Sequence, residues 1–389
     1  MLNILGICWD YLWMNKDNSK GDFDFRQNSY AQYLGSLNRI VYSPHNFNKK
    51  EEMIGKNIYI YYTCSKNKLF FPFDAFKLAV RIIKEKKIDM LSAEDPCLAG
   101  FLGIFIKKWL KIPLSIQIHY DAINNKQWIT QRKRHRLYNE MAKIAVHYAD
   151  SIRVVSQEIK NKLIALGILE DKIWVIPVQI DTQKFEQTSG IRVREQYLRN
   201  KFDKLVLFVG RLSIEKNIPT LLKSFKEIIN VYPAALLLIA GDGIEKDNLV
   251  NLTKELDIAG NVNFIGAVDY GSIPAYFAAS DVFVLTSLRE GRANVLIEAA
   301  LSKKPIVTTN VSGVGDCVID NKTGYIIEQG NSREIAKKIT FLLQNPEIAK
   351  QFGLTGSVFV KERLKETNDE KALIRCWEET AKVKQGKPW

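Results

Sequence analysis

The chain has 389 residues, of which 46% are hydrophobic and 25% are charged, and its formal net charge is +13. This size and composition indicate a globular protein of two or three domains. The longest apolar run, residues 98–106, is too short to span a bilayer, and five widely spaced cysteines argue against a structural metal site and favour a reducing cytoplasm.

Strand-like apolar runs alternate with helical patterns along the whole chain. The first half contains such runs at residues 2–8, 57–62, 90–92, 114–118, 151–155 and 173–176. The second half contains them at residues 205–209, 235–240, 262–265, 282–285, 305–308 and 325–327. This alternation predicts parallel sheets covered by helices. We therefore expect an α/β protein with two doubly wound Rossmann-like domains that face each other across a ligand-binding cleft.

A polar, charged segment at residues 181–202 is interpreted as the linker between the domains. The first domain is accordingly predicted to span residues 1–183 and the second to span residues 184–366. Residues 367–389 contain a helical pattern and form a separate C-terminal segment.

One histidine of the first domain directly follows a strand-like run. His119 comes after residues 114–118, and the carboxyl ends of parallel strands are where open α/β sheets bind ligands. The other three histidines, His45, His135 and His147, have no such context. A histidine after a strand is also often structural, so from the residues alone both interpretations stay open.

The first domain carries most of the positive charge. Residues 1–200 hold 31 Lys and Arg against 20 Asp and Glu, whereas residues 201–389 hold 25 against 23. The densest cluster combines cations with an aromatic side chain and comprises Lys126, Trp128, Arg132, Lys133, Arg134 and Arg136. Such a segment suits an anionic membrane surface, to which residues 107–111 could add, although a solvated helix face gives the same pattern.

A strand–loop–helix unit in the second half contains two cations. The run 205–209 is followed by Gly210, and the next loop holds Arg211 and Lys216 before Pro219 marks a helix start. Two fixed cations can neutralise a diphosphate leaving group, which gains charge as its bond to a sugar breaks.

A second strand–loop–helix unit contains two carboxylates. Glu290 lies in the turn after the run 282–285, and Glu298 lies about one turn inside the following helix. The helix start attracts anions, and carboxylates accept hydrogen bonds from sugar and ribose hydroxyls. Acidic residues also stabilise a helix dipole without any ligand, but the two units together predict a nucleotide-sugar site.

These residues, with their order and spacing, resemble retaining glycosyltransferase family 4, whose fold is GT-B. The resemblance rests on Gly210-Arg211, Glu215-Lys216 and the Glu290/Glu298 pair, and it is strongest over residues 170–345. Between them, residues 236–243, 263–266, 278–281 and 324–327 also follow the family pattern in order. The resemblance implies that the C-terminal helix packs back on the first domain.

The resemblance also implies a role for each site residue. Arg211 and Lys216 would bind the donor diphosphate, Glu290 the hydroxyls of the transferred sugar, and Glu298 the ribose. His119 would contact the donor sugar from the first domain. The remaining donor-binding positions would act largely through the backbone or lie beside the base: Gly210, Gly241, Ile265, Gly266, Gly291, Asn294, Val295 and Leu296.

Some positions depart from the family pattern. The first loop, residues 10–28, has only Gly21 where the family has paired glycines, and Val178-Gln179 replaces the usual Asn-Gly. The Asp22-Phe23-Asp24 pair resembles a metal-binding signature of the other major glycosyltransferase fold. Because Arg211 and Lys216 can neutralise the diphosphate, we expect no metal or other cofactor.

The resemblance implies a retaining glycosyltransferase that moves a sugar from a nucleotide diphosphate sugar, with a UDP-sugar favoured, to a saccharide or lipid-linked acceptor. We expect it in cell-surface polysaccharide or glycolipid assembly, in the cytoplasm or on the inner face of the cell membrane. A sugar-nucleotide epimerase or a phosphorylase could use the same fold. A nucleic-acid-binding protein is supported by charge alone, and no nucleic-acid motif is present. The absence of an early Gly-x-Gly-x-x-Gly disfavours an oxidoreductase.

Overall fold

The computed structural model describes residues 1–9, 23–198, 201–367 and 371–383. These residues form two compact units, of which the first contains residues 1–9, 23–179 and 371–383 and the second contains residues 180–198 and 201–367. Most of the loop 10–28, including Asp22, lies outside the described residues. No helix among the described residues combines the length and the apolar character needed to cross a bilayer.

The first unit is built on an eight-stranded sheet. Its strands are β1 (Asn3–Cys8), β2 (Ser36–Val41), β3 (Glu51–Ile54), β4 (Ile58–Tyr62), β5 (Met90–Ala93), β6 (Leu114–Ile118), β7 (Ser151–Val154) and β8 (Ile173–Val175). They lie in the order β3-β4-β2-β1-β5-β6-β7-β8, and all neighbours are parallel except β3 and β4. The chain thus winds outward from β1 in both directions, which is the doubly wound topology.

Six helices of the first unit connect these strands. They are α1 (Phe23–Ala31), α2 (Phe71–Glu85), α3 (Leu98–Leu110), α4 (Lys126–Gln131), α5 (Lys133–Tyr148) and α6 (Gln157–Ala165). Helix α2 shows why they form here: a proline stands in its first turn, and Phe71, Ala75, Ala79 and Ile82 recur at helical spacing and are buried.

The second unit contains a six-stranded parallel sheet. Its strands are β9 (Lys204–Val209), β10 (Ala235–Ala240), β11 (Val262–Gly266), β12 (Val282–Leu285), β13 (Ile306–Thr309) and β14 (Gly324–Ile327). Their order is β11-β10-β9-β12-β13-β14, so the winding direction reverses between β9 and β12. Strand β10 is buried along its whole length, as expected for a parallel strand with helices on both faces.

Eight helices belong to the second unit. They are α7 (Thr182–Gln187), α8 (Ile191–Tyr197), α9 (Ile218–Val231), α10 (Lys246–Glu255), α11 (Ile273–Ala279), α12 (Asn294–Leu301), α13 (Ser332–Gln344) and α14 (Pro346–Thr367). The two units together confirm the predicted class, an α/β protein with two Rossmann-like domains.

The last described helix, α15 (Ala372–Lys382), packs in the first unit. Its apolar residues Leu373, Ile374 and Trp377 are buried against the first sheet. The hydroxyls of Thr380 and Ser151 lie 2.6 Å apart and join the helix to β7. The expected return of the C-terminal helix to the first domain is therefore confirmed.

Two strands of the first sheet were missing from the prediction. Strand β2 carries Asn38 and Arg39 in its centre, and both are buried, so polar residues interrupt its apolar pattern. Strand β3 is a short acidic edge strand that pairs antiparallel with β4 after a turn in which Gly55 has a φ of +62°. The first sheet is therefore not wholly parallel.

The predicted linker at residues 181–202 is also wrong over its described part. It contains α7 and α8, whose residues Phe185 and Val193 are buried in the core of the second unit. One apolar anchor on each short helix is enough to hold a segment that is otherwise polar. The first unit ends at residue 179, close to the predicted boundary at 183.

Candidate active site

The two loops predicted to bind a nucleotide-sugar follow neighbouring strands of the second sheet. Residues 210–217 follow β9 and residues 286–293 follow β12, and these strands pair in parallel at the point where the winding direction reverses. The carboxyl ends of both strands therefore meet at the same edge, which is the position where such sheets bind ligands.

Hydrogen bonds tie the two loops together. The Thr286 hydroxyl donates to the carbonyl oxygens of Lys216 at 3.0 Å and Asn217 at 3.2 Å. The Leu288 N–H donates to the Glu215 carbonyl at 2.8 Å. Asn217 has a φ of +47°, and this left-handed residue turns the chain into α9. The position of Lys216 is thus set by the loop after β12.

Lys216 and Glu290, which are 74 positions apart, form an ion pair. The Lys216 Nζ donates to Glu290 Oε1 at 2.6 Å, and the two side chains are 16% and 12% exposed. The Ser287 hydroxyl donates to the same carboxylate oxygen, also at 2.6 Å. The structure therefore brings together the predicted diphosphate-binding cation and the predicted sugar-binding carboxylate, and adds Ser287, which the sequence analysis missed.

Arg211 lies exposed beside a second acidic side chain of the same loop. Burial raises the pKa of the Glu215 carboxyl, but hydrogen bonding and the charges of Arg289 and Arg211 outweigh it, so that pKa lies below its ordinary value. Arg289 is a further cation at this edge that the sequence analysis did not select. The sequence does contain an indication of Arg289, because this residue directly precedes Glu290.

Glu298 is buried on α12, one turn inside the helix. The Tyr270 hydroxyl donates to its Oε1 at 3.1 Å, and the Lys184 ammonium lies 4.8 Å from the Tyr270 ring centroid. Tyr270 lies in the loop after β11 and has no motif of its own in the sequence. It fixes one oxygen of the predicted ribose-binding carboxylate.

The start of α12 has no side-chain cap. Its N-cap residue is Ala293, whose side chain cannot accept a hydrogen bond. The N–H groups of Asn294 and Leu296 donate to the carbonyls of Arg292 and Ala293 at 2.9 and 2.8 Å. Binding a phosphate at this helix start, as predicted for Asn294, Val295 and Leu296, would replace such short-range bonds. Gly291 is buried in the preceding turn.

Three of the predicted donor-binding glycines lie together at the strand ends. The Gly241 N–H donates to the Gly266 carbonyl at 2.8 Å, and the Gly210 N–H donates to the Ala240 carbonyl at 3.0 Å. Gly241 has a φ of +148°, and a Cβ there would lie 1.9 Å from the Gly210 carbonyl oxygen. Only glycine allows these loops to approach so closely. Ile265 and Gly266 end β11 beside them.

His119 lies at the corresponding edge of the first sheet, directly after β6. Its Nε2 is 3.6 Å from Oε2 of Glu94, which follows β5. The other histidines bind locally: His135 to the Trp128 carbonyl at 2.7 Å, His147 to the Lys143 carbonyl at 2.8 Å and His45 to the Cys64 carbonyl at 3.4 Å. The geometry agrees with the choice of His119 from the sequence, and its contact with a sugar stays a prediction.

The basic cluster of the first unit is only partly as expected. Five of its cations are exposed on α4 and α5 or between them: Lys126, Arg132, Lys133, Arg134 and Arg136. Trp128 is instead 6% exposed and stacks on His135 with ring centroids 4.4 Å apart. The prediction that Trp128 contacts a membrane is therefore wrong, because its ring fills the first unit's core.

Metal binding has no support from the described residues, among which no three His, Cys, Asp or Glu side chains form a group that could hold an ion. Asp22 lies outside the described residues. The expectation of a metal-independent site stays a prediction.

Two family models match the chain. The model for glycosyl transferases group 1 matches residues 191–357, and the model for Glycosyltransferase Family 4 matches residues 38–184. Together the two matches extend over most of both compact units.

Relatives with assigned names match over part of their length. The capsular polysaccharide biosynthesis glycosyltransferase CapM of Staphylococcus aureus is 32% identical over 56% of this chain and 58% of its own. The alpha-monoglucosyldiacylglycerol synthase of Streptococcus pneumoniae is 25% identical over 66% of this chain and 59% of its own. The chain thus spans about three fifths of the length of these curated relatives.

Solved structures match over the full length and show the fold. The sucrose-phosphate synthase of Thermosynechococcus elongatus has a TM-score of 0.81 at 18% identity, with 100% of both chains covered. Anabaena HepE in complex with UDP-glucose has a TM-score of 0.73 at 17% identity, again with 100% of both chains covered. The two family models show that the chain belongs to glycosyltransferase family 4, the glycosyl transferases group 1, and the solved structures show its GT-B fold of two Rossmann-like domains.

Proposed function

We propose that this protein transfers a sugar from a nucleotide diphosphate sugar, with a UDP-sugar favoured, to a saccharide or lipid-linked acceptor, with retention of configuration. The observation that carries the proposal is the meeting of Lys216 and Glu290 at the edge of the second sheet where the winding direction reverses. A cation suited to phosphate and a carboxylate suited to hydroxyls lie 2.6 Å apart, so both side chains can reach a ligand at the point where a sugar joins its diphosphate.

The cations of the loop after β9 stabilise the leaving group in this proposal. As the bond from the sugar anomeric carbon to the diphosphate oxygen breaks, negative charge accumulates on the diphosphate. Arg211 and Lys216 neutralise that charge, which lowers the barrier without a metal ion. Lys216 is suited to this role because the Thr286 hydroxyl holds its backbone at 3.0 Å.

The carboxylates bind the two sugar rings of the donor. Glu290 accepts hydrogen bonds from hydroxyls of the transferred sugar, and Glu298 accepts them from the ribose. Gly210, Gly241 and Gly266 give the base and the diphosphate close access to the backbone, together with Gly291, Ile265 and the first residues of α12.

Retention follows if the acceptor attacks from the face that the diphosphate leaves. The acceptor oxygen then bonds to the anomeric carbon, the bond to the diphosphate breaks, and the acceptor proton passes to the departing phosphate oxygen. His119 contacts the transferred sugar in this scheme. We expect no covalent glycosyl-enzyme.

The names of the relatives support the acceptor class. CapM belongs to capsular polysaccharide biosynthesis, and the pneumococcal synthase makes a glycolipid. With this support we propose that the activity belongs to cell-surface polysaccharide or glycolipid assembly, and we propose separately that the protein works in the cytoplasm.

Peripheral attachment to the inner face of the membrane is part of the proposal. Five exposed cations on or between α4 and α5 supply the charge, each contributing about 1 kcal/mol near anionic lipid. Trp109 and Phe105 on α3 are exposed and supply apolar contacts in place of the buried Trp128. Sedimentation with vesicles of phosphatidylglycerol and phosphatidylcholine tests this: salt-sensitive binding that Arg134→Glu weakens supports it, and equal binding to uncharged vesicles contradicts it.

The first test of the donor site is thermal unfolding with a panel of nucleoside diphosphates and nucleotide-sugars in the presence of EDTA. A ligand at about 100 times its Kd adds roughly 2.7 kcal/mol of stability. Selective stabilisation by one base identifies the donor family, and no shift with any ligand contradicts the proposed site.

Variants then separate transfer from other reactions. Lys216→Ala and Arg211→Ala should each lower turnover by on the order of 10²-fold, whereas Lys223→Ala, which removes an exposed cation of α9, should not. Near-normal turnover in both site variants removes these cations from the mechanism. Conversion of the donor without an acceptor would identify an epimerase, and a requirement for orthophosphate would identify a phosphorylase.

A further inference from the structure

An arginine side chain of the first sheet extends from β2 across β1 to the end of β5. Arg39 lies in the centre of β2 and is 2% exposed. Its side chain passes over β1 at Gly6, where a Cβ would lie 2.1 Å from the Arg39 Nη1. The missing side chain of Gly6 is therefore the gap that lets the guanidinium reach the next strand, β5.

The guanidinium holds Glu94 at the end of β5. Arg39 Nη1 donates to Glu94 Oε1, the Ser92 hydroxyl donates to the same oxygen at 3.2 Å, and Arg39 Nη2 donates to Gln27 Oε1 at 3.3 Å. Burial alone would raise the pKa of the Glu94 carboxyl. The charge of Arg39 and the contact between Glu94 and His119 outweigh burial and lower this pKa to about 2. Glu94 is therefore ionised throughout the physiological range.

Stability alone does not explain this arrangement. A buried ion pair gains little over well-packed apolar side chains, because both charges lose their hydration. The other carboxylate oxygen of Glu94, Oε2, lies 3.6 Å from the Nε2 of His119. A histidine nitrogen facing a fixed carboxylate carries the proton, and this sets the tautomer and the ring orientation.

We propose that Glu94, held by Arg39 across Gly6, is a positioning residue that keeps the imidazole of His119 with its Nε2–H toward the carboxylate. This inference rests on the proposed contact of His119 with the transferred sugar. Arg39 and Glu94 do not touch the substrate themselves. They act through the orientation and protonation of one imidazole ring.

The decisive variant replaces both charges, Arg39→Met with Glu94→Leu. Removing both partners of a buried pair is often neutral for folding, whereas removing one leaves an uncompensated charge. The double variant should therefore unfold at a temperature close to that of the wild type. It should nevertheless lose the carboxylate that faces the His119 Nε2 at 3.6 Å.

The tautomer of His119 is measurable without any activity assay. The chain has four histidines, so ¹⁵N-labelled histidine gives few ring signals, and His119→Ala identifies those of His119. We expect the Nε2–H tautomer in the wild type and a mixture of both tautomers in the double variant. An unchanged tautomer in the folded double variant would overturn the proposal.

A matched control removes another buried, ion-paired carboxylate of the same unit. Asp150 accepts from Lys107 at 2.6 Å and from the Leu114 N–H at 2.8 Å, at the opposite ends of the strands. Asp150→Asn should lower stability and leave the His119 ring signals unchanged. A change of the His119 signals in this control would show that they report general loosening, which would also overturn the proposal.

A double-mutant cycle then links the pair to transfer. Glu94→Gln should lower kcat roughly 10- to 100-fold, as loss of a partner that orients a functional group does. The same change should have little further effect in a His119→Ala background. Equal effects in both backgrounds would show that Glu94 acts elsewhere. If the wild type transfers no sugar, the proposed function fails, but the tautomer measurement still decides the positioning role.

Discussion

Replacing Glu290 by glutamine is expected to strengthen the binding of free nucleoside diphosphate and to slow sugar transfer. In the structure, the Lys216 ammonium already forms an ion pair with the Glu290 carboxylate at 2.6 Å. An incoming diphosphate must therefore compete with the Glu290 carboxylate for this cation, and it also meets the negative charge of that carboxylate. The amide of glutamine removes both obstacles and keeps nearly the same shape.

The size of the effect follows from the charge pair. Unit charges about 4 Å apart attract by about 4 kcal/mol at an effective dielectric constant of about 20. Desolvation and screening reduce the net attraction within a half-buried ion pair to about 1–2 kcal/mol. The diphosphate affinity should thus rise about 5- to 30-fold. The turnover should fall by on the order of 10²-fold, because a ligand of the reacting sugar is lost.

Calorimetric titration with the nucleoside diphosphate that stabilises the protein best measures the first quantity, and initial rates with the matching nucleotide-sugar measure the second. Glu334→Gln is the control, since Glu334 pairs with Lys338 at 3.6 Å on a helix surface of the same unit. The control should change neither quantity. Unchanged or weaker diphosphate binding by Glu290→Gln would refute the competition between carboxylate and diphosphate.

Three further predictions concern single side chains. Tyr270→Phe removes the 3.1 Å bond to Glu298 and should weaken nucleotide binding about 5- to 10-fold in the same titration, with little change in kcat. Gly241→Ala should lower the free energy of unfolding in urea by more than about 2 kcal/mol, because its Cβ would lie 1.9 Å from a carbonyl oxygen. Gly266→Ala should lower the same free energy by only about 1–2 kcal/mol, because Gly266 has a φ of +76° but no neighbour within 4 Å of the new Cβ. Burial raises the pKa of the Asp95 carboxyl to about 6, so the folded state binds its proton more tightly than the unfolded state does, and stability is lost as pH rises from about 4 to 6. Urea unfolding of Asp95→Asn over that range should show a smaller loss than the wild type.

Each of these three predictions has an outcome that would contradict it. Unchanged nucleotide affinity in Tyr270→Phe would mean that Glu298 needs no fixed oxygen. Equal losses for Gly241→Ala and Gly266→Ala would mean that the conformation, and not the close approach, demands glycine at both positions. Parallel pH curves for Asp95→Asn and the wild type would assign the pH dependence to other groups.

The fold was largely predictable because a parallel strand buried on both faces has a continuous apolar sequence. Strands β10 and β12 have the predicted bounds for this reason. Strand β2 was missed because Arg39, whose role is to reach Glu94, breaks the apolar run in its centre. The residue that hid the strand is thus one of the two that position His119 in the inference above.

The candidate site was predictable residue by residue but not in its contacts. The sequence marks Lys216 and Glu290 through separate motifs, yet it does not state that β9 and β12 are neighbours, and the ion pair follows only from that pairing. Tyr270 and Ser287 carry no local signal, because their importance lies in the carboxylates they touch. Trp128 was misread because stacking on His135 is a tertiary contact.

The return of α15 to the first unit has a consequence for synthesis on the ribosome. Strands β1, β2 and β5 present Ile4, Leu37 and Met90 to a layer that α15 completes. Between the end of β8 at residue 175 and the start of α15 at residue 372, the ribosome translates nearly the whole second unit, which takes roughly 10–40 s at ~5–20 residues per second. During that interval part of this apolar face, which α1 shares through Tyr30 and Ala31, stays uncovered, so we expect a truncated product lacking α15 to aggregate and to bind chaperones. The unit that is translated first is the one whose core is completed last.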